Sequence, residues 1–195
     1  MAIKQILFNT EMVRAILDGR KTCTRRIMKP QLTAHYGTQY VKPPYQKGDI
    51  LYVRETWQFL YELDGNEQPI EETGKYYYAA TDTTLFYTYV DENGAEHDYV
   101  PWRPSIHMPK EAARIWLKVT DVRVERLQGI DGKGCVKEGI EEEPLKDVGE
   151  EFVKGMYHDL WNSTIKKSDI DRYGWDANPW VWVIDFERCD KPKEE

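Results

Sequence analysis

Lys21, Thr24 and Arg26 fall within one short run, Gly19-Arg20-Lys21-Thr22-Cys23-Thr24-Arg25-Arg26. A lysine taken out of water binds its proton less firmly and becomes a base. A threonine hydroxyl beside such a base can attack an acyl carbon. An arginine two residues further on offers a flat, permanently charged clamp for an oxyanion or a phosphate. Glu138, immediately before Gly139, is a carboxylate able to orient Lys21 or to donate a proton to a leaving amine. Arg25 reads as a surface charge or a phosphate contact. Against this stands a plainer account. Thr24 suits a strand by its β propensity, the cations face water, and Glu138 belongs to a solvated acidic run with Glu141, Glu142 and Glu143.

A second set of residues has binding chemistry without a catalytic pattern. Arg54, Trp57, Trp102 and His107 are expected in loops or at strand ends, where aromatic rings stack on bases and cations meet phosphate. Burial explains Trp57 and Trp102 equally well, and Arg54-Glu55 reads either as a buried pair or as part of the site. Cys23 alternates with two threonines and is expected in the core. The three cysteines, Cys23, Cys135 and Cys189, have no metal-ligand or disulfide spacing, and no metal or other cofactor is implied.

These groups need elements to hold them. Residues 10–18 place Met12, Val13, Ile16 and Leu17 on one helical face, with Thr10 expected as the cap and Gly19 as the left-handed stop. Strands are expected at Ile3–Phe8, Thr22–Ile27 and Ile50–Glu55. In an ideal strand positions 21 and 24 point to opposite faces, so their convergence requires Lys21 to lie in the turn before the strand. From Ala113 to Leu127 the apolar alternation changes parity at Thr120-Asp121, which predicts a bulge in a curved sheet or barrel. A short helix is predicted from near Asp131. A longer one follows over Glu150–Ile165, with Phe152, Val153, Met156, Tyr157, Leu160 and Trp161 inward. The run Trp180–Phe186 is apolar on both faces and reads as a central strand, with Trp161, Trp180 and Trp182 in the core. Residues 29–47 read as a loop.

The chain has 195 residues and a formal net charge of −7, with 41% hydrophobic residues and 13 Tyr, 7 Trp and 5 Phe. That suffices for one domain over residues 1–190, followed by a charged tail at 191–195. An acidic, Tyr-rich insertion is expected at about 58–100, with strand-like pieces at Tyr76–Ala80 and Leu85–Val90 and a turn at Asn93-Gly94. Charge is uneven. Residues 1–29 carry seven Lys and Arg against Glu11 and Asp18, while residues 58–100 carry ten Asp and Glu against Lys75 alone. A local basic site on an acidic body suits a nucleotide or a short single strand better than a long duplex. No run is apolar enough to span a bilayer, no signal peptide is evident, and the cysteine usage fits a reducing cytoplasm.

The motif Gly19-x-Lys21-Thr22-x-Thr24-x-Arg26 after a short helix resembles the ASCH domain, a PUA-like barrel. Gly48-Asp49-x-Leu51-x-Val53, Cys135-x-x-Glu138-Gly139 and the final aromatic strand fall where that family has equivalents. Arg54-Glu55-Thr56-Trp57, the Trp102–Pro109 segment and Asn178-Pro179-Trp180-Val181-Trp182 resemble the longer ASCH proteins of phages and prophages. The resemblance covers most of the chain outside residues 58–110. It implies an α+β fold: a PUA-like, mostly antiparallel β-barrel with flanking helices and an inserted β-hairpin region. It places the pocket between the Lys21–Arg26 strand, the Glu138 segment and the Trp102–Met108 loop.

PUA-like folds generally bind RNA or modified nucleobases. One bacterial branch of the family consists of N(4)-acetylcytidine amidohydrolases, whose catalytic Lys, Thr and Glu match Lys21, Thr24 and Glu138. The resemblance thus implies a protein that binds a nucleoside, nucleotide or single-stranded RNA, recognises a modified base, and hydrolyses an amide there. Three other functions remain open: a non-catalytic reader, a metal-independent ribonuclease, and a phage protein docking on a host factor through the insertion.

Overall fold

The structure is a computed structural model that describes residues 2–32, 41–66, 68–83, 87–90, 92–99 and 102–193. Its centre is a five-stranded sheet made of β1 (Ile3–Leu7), β2 (Cys23–Ile27), β3 (Ile50–Arg54), β8 (Trp116–Arg126) and β9 (Trp180–Cys189), in the order β1-β3-β8-β9-β2. Only β1 and β3 run parallel; the other three pairings are antiparallel. Two hairpins lie outside it, β4 (Trp57–Leu63) with β5 (Pro69–Tyr78), and β6 (Tyr87–Val90) with β7 (Glu96–Tyr99).

The sheet is open. Among the described residues the edge strands β1 and β2 are not paired by backbone, so the expected closed barrel is not formed by a ladder. The side chain of Arg26 crosses the gap instead, its Nη2 donating to Leu7 O at 2.8 Å. The pairing of β8 with β9 shifts register between Val119 and Asp121, at the position where the apolar alternation changes parity. The aromatic strand β9 is interior, between β8 and β2.

Each face of the sheet has its own apolar cluster. Helix α1 (Thr10–Leu17) packs Val13 and Ile16 with Ile6, Phe8, Leu51, Val53, Val119, Ile184 and Phe186. Its cap is Asn9, not Thr10: the Asn9 side chain accepts from Met12 N at 2.8 Å and Thr10 is the first helical residue. The opposite face carries Cys23, Val181 and Val183 against α2 (Gly132–Lys137) and α4 (Glu150–Ser163). Between those helices lies α3 (Glu143–Asp147), inside the stretch the sequence presents as a solvated acidic run, and α5 (Ile170–Tyr173) precedes the last strand. Phe152, expected inward on α4, is 51% exposed, whereas Val153, Tyr157 and Trp161 are buried. Trp180 and Trp182, expected in the core, are only half-buried.

The acidic segment folds as the two hairpins. β5 begins at Pro69, well before the expected strand at Tyr76, and β4 has no counterpart in the sequence reading. The strand expected from Leu85 is described only from Tyr87, residues 84–86 lying outside the described set. Asn93-Gly94 does form the turn between β6 and β7, with Gly94 at φ 78°. No helix among the described residues is long and apolar enough to cross a membrane.

Candidate nucleotide site

Lys21 is placed by what precedes it. Helix α1 ends at Gly19, whose φ of 78° turns the chain back so that Lys21 N donates to Ala15 O at 2.9 Å. Strand β2 begins only at Cys23, so Lys21 sits in the turn before it. Its side chain then points inward and the residue is 2% exposed. Nζ donates to Cys23 O at 2.8 Å, Glu138 O at 2.7 Å and Glu138 Oε2 at 2.7 Å.

Glu138 is delivered by the end of α2. Asp131 caps that helix through Gly134 N at 2.7 Å, and Thr22 N donates to Lys137 O at 2.9 Å, which ties the helix end to β2. Gly139 follows at φ 106°, and a Cβ there would lie 3.0 Å from Ala15 Cβ and 3.4 Å from Lys21 Cβ. Glycine therefore permits both the turn and the close approach of α1. The Glu138 carboxylate also meets Arg25 Nη1 at 3.2 Å and Tyr157 Oη at 3.4 Å. Arg25, expected at the surface, is 6% exposed and reaches Glu125 with its other terminal nitrogen.

Two buried cations, Lys21 and Arg25, share the Glu138 carboxylate, and Arg25 has Glu125 as a second partner. Burial pulls the Lys21 pKa below its usual value, and the adjacent Glu138 carboxylate works against that shift. Three acceptors around Nζ fit an ammonium, which has three protons to donate. In this arrangement Lys21 has no lone pair to offer Thr24. Thr24 is 2% exposed, and its hydroxyl makes no hydrogen bond among the described residues. It faces a cavity of about 30 Å³ bordered by Met12, Glu138, Tyr157, Leu160 and Trp161. The cavity is narrow and partly open to solvent. Burial also pushes the Cys23 thiol pKa up, so Cys23 is held as an inert thiol.

A roomier site adjoins it. Alternation along β2 puts Thr24 and Arg26 on the same face, and the ladder sets Thr24 opposite Ile184 and Arg26 opposite Trp182. On β8, Val122 lies opposite Ile184 and Val124 opposite Trp182. The face is therefore built in rows. The Thr24–Ile184–Val122 row lies toward α1, while the Arg26–Trp182–Val124 row lies at the lip. Beyond the lip opens a groove of about 370 Å³ lined by Arg26, Ile27, Lys29, Lys42, Pro44, Tyr45 and Trp182. It holds three cations, two aromatic rings and no carboxylate. Arg26 borders both this groove and the small Thr24 cavity. Its guanidinium is held by Leu7 O and lies 5.3 Å from the Phe8 ring centroid.

The remaining candidates lie elsewhere. Arg54 donates to Gln5 Oε1 at 2.6 Å and to the carbonyl of Ile106. Glu55 pairs with Arg114, not with Arg54. Trp57 is buried with Met108 and Trp116, Trp102 is half-buried, and His107 is exposed in a short turn at Ser105–His107. None of these four lines the Thr24 cavity or the Arg26 groove, so the Trp102–Met108 segment does not form the expected third wall of either. The sequence reading did not single out Lys29, Lys42, Tyr45 and Trp182, which line the groove, or Tyr157 as a partner of Glu138. The missing signal was the register that sets Trp182 beside Arg26.

No family model matches the chain, and no curated protein sequence matches it. Among solved structures, it is similar to the high-resolution crystal structure of an ASCH domain from Lactobacillus crispatus JV V101. That likeness has 10% identity and a TM-score of 0.43, and covers 96% of this chain and 79% of that one. What the chain does must come from its own residues.

Proposed function

We propose that this chain binds single-stranded nucleic acid, with RNA as the ligand implied by the motif resemblance, and reads a modified base at Arg26. One observation carries this reading: Arg26 stands between an aromatic, cationic groove and the narrower, partly open cavity at Thr24. A base stacked on Trp182 or Tyr45, with its phosphate on Lys29 or Lys42, would direct an exocyclic group past Arg26 toward Thr24. A cavity of about 30 Å³ favours a compact addition to the base over a bulky one.

Amide hydrolysis is the second reading, favoured by the unengaged Thr24 hydroxyl beside the Lys21–Glu138 pair. It requires Lys21 to pass a proton to the Glu138 carboxylate on ligand binding, so that the neutral amine can take the Thr24 proton and the protonated Glu138 can supply one to the leaving amine. Both readings are tested with labelled single-stranded RNA carrying cytidine, 5-methylcytidine or N(4)-acetylcytidine. Binding is followed by anisotropy, and the products are separated by chromatography. Arg26→Ala and Trp182→Ala are each expected to weaken binding about tenfold, in line with the ~1–3 kcal/mol of a stacked base. Unchanged affinity in both variants would remove the groove from the function. Release of acetate, with conversion of N(4)-acetylcytidine to cytidine within the strand, by the wild type but not by Thr24→Ala would add the hydrolase.

A further inference from the structure

Strand β9 repeats the arrangement found at Trp182 two residues earlier. Trp180 lies on the same sheet face as Trp182, is likewise half-buried, and also has an arginine beside it on a neighbouring strand. For Trp182 that arginine is Arg26 on β2; for Trp180 it is Arg126 on β8, directly opposite in the ladder. The Arg126 guanidinium lies 4.4 Å from the Trp180 ring centroid, and its Nη1 donates to Asn178 O at 2.8 Å. The backbone of Trp180 is clamped on both sides by Gln31, whose Oε1 accepts from Trp180 N at 2.6 Å while its Nε2 donates to Trp180 O at 3.0 Å. Arg126 itself is exposed.

We infer that Trp180 and Arg126 form a second base-stacking step, so that the sheet face takes two consecutive nucleotides of a single strand. This step has meaning only if the Arg26 groove binds nucleotides as proposed above. Residues two apart on one strand are separated by about 7 Å. That is twice the ~3.4 Å between stacked bases of a duplex strand. Platforms at this spacing accept bases splayed apart and do not match a paired, stacked helix. The exposed guanidinium plane over Trp180 is itself a stacking surface and carries a charge for the connecting phosphate. No carboxylate of β2, β8 or β9 shares this part of the face: Glu125 and Asp185 have the opposite parity, and Arg123 engages both.

The test compares cytidine 5′-monophosphate with the dinucleotide pCpC by calorimetry on the full chain. The wild type should bind pCpC at least fivefold more tightly than the monophosphate. In Trp180→Ala and in Arg126→Ala the two affinities should come within twofold of each other, and Arg126, being exposed, can be replaced without touching the core. Equal affinities in the wild type, or a fivefold preference kept in Arg126→Ala, would overturn the second step while leaving the groove intact. Failure of the wild type to bind either ligand would overturn the groove and the second step together. Loss of monophosphate binding in Trp182→Ala confirms that the first step was present to be extended.

Discussion

Lys21 Nζ and Glu138 Oε2 are 2.7 Å apart across 117 residues of sequence, and neither residue is more than 3% exposed. A buried pair of this kind is held together by what each charge would lose alone. Lys21→Met strands a carboxylate with Arg25 as its remaining cation, and Glu138→Gln strands an ammonium. Each single change should cost about 3–5 kcal/mol in urea denaturation. The double variant should cost at least about 2 kcal/mol less than the sum of the two. Additive losses would mean that the pair is not energetically coupled.

Thr24 should behave in the opposite way. Its hydroxyl has no described partner, so Thr24→Val, which keeps the shape, is expected to change stability by less than about 1 kcal/mol. If the same substitution abolishes a reaction or a base preference, the hydroxyl acts on the ligand rather than on the fold. A loss of several kcal/mol would instead mark Thr24 as structural.

Asp49 sets an acid limit. Its carboxylate is 4% exposed and accepts from Ala2 N at 3.1 Å, Gln46 N at 3.0 Å and Lys4 Nζ at 2.7 Å. Burial alone would raise its pKa, but the Lys4 and backbone hydrogen bonds overcome that and hold it below the usual carboxylate value. A depressed folded-state pKa contributes stability above the unfolded value of about 3.9. That stability is lost as pH falls through the folded value. Asp49→Asn should therefore lower stability by about 1–3 kcal/mol at pH 7, with the deficit shrinking below pH 4. A deficit that stays constant down to pH 2 would rule out the carboxylate as its source.

Arg114 gives the complementary case. Glu55, 1% exposed, receives two bonds of 2.9 Å from the Arg114 guanidinium, which also lies 3.9 Å from the Tyr78 ring centroid. Burial raises the Glu55 pKa, and Arg114 limits the rise. Arg114→Ala should cost about 3–5 kcal/mol at pH 8. Because a raised pKa favours the protonated folded form, that cost should shrink as pH falls toward 5. Thermal melts at the two pH values check it.

Local pattern carried much of this structure into the sequence. The bulge in β8 was legible because Val119 and Val122 break the alternation by one residue. The stop at Gly19 and the short helix after Asp131 follow from caps that need only neighbouring residues. Lys21 and Glu138 were legible as partners only through the motif resemblance, since nothing local joins residues 117 apart. Arg114 was not legible as the partner of Glu55 for the same reason. Trp180 and Trp182 were assigned to the core because an aromatic strand between two others reads as buried. Trp182 does pack against the cluster under α1 but also borders the Arg26 groove, which strand composition alone does not reveal.

The β4–β5 hairpin shares its interior with the sheet. Phe59, Tyr76 and Tyr78 pack on the cluster formed by Ile50, Trp57, Met108, Ala112, Ala113 and Trp116. Looked at as an engineering problem, the acidic hairpin cannot be clipped off like a tag, because excision would remove Trp57 and unroof Trp116 in the body of the protein. Its outward carboxylates, Glu62, Glu71 and Glu72, can be exchanged freely, and surface charge reversal there is the way to ask what the hairpin touches without dismantling what it covers.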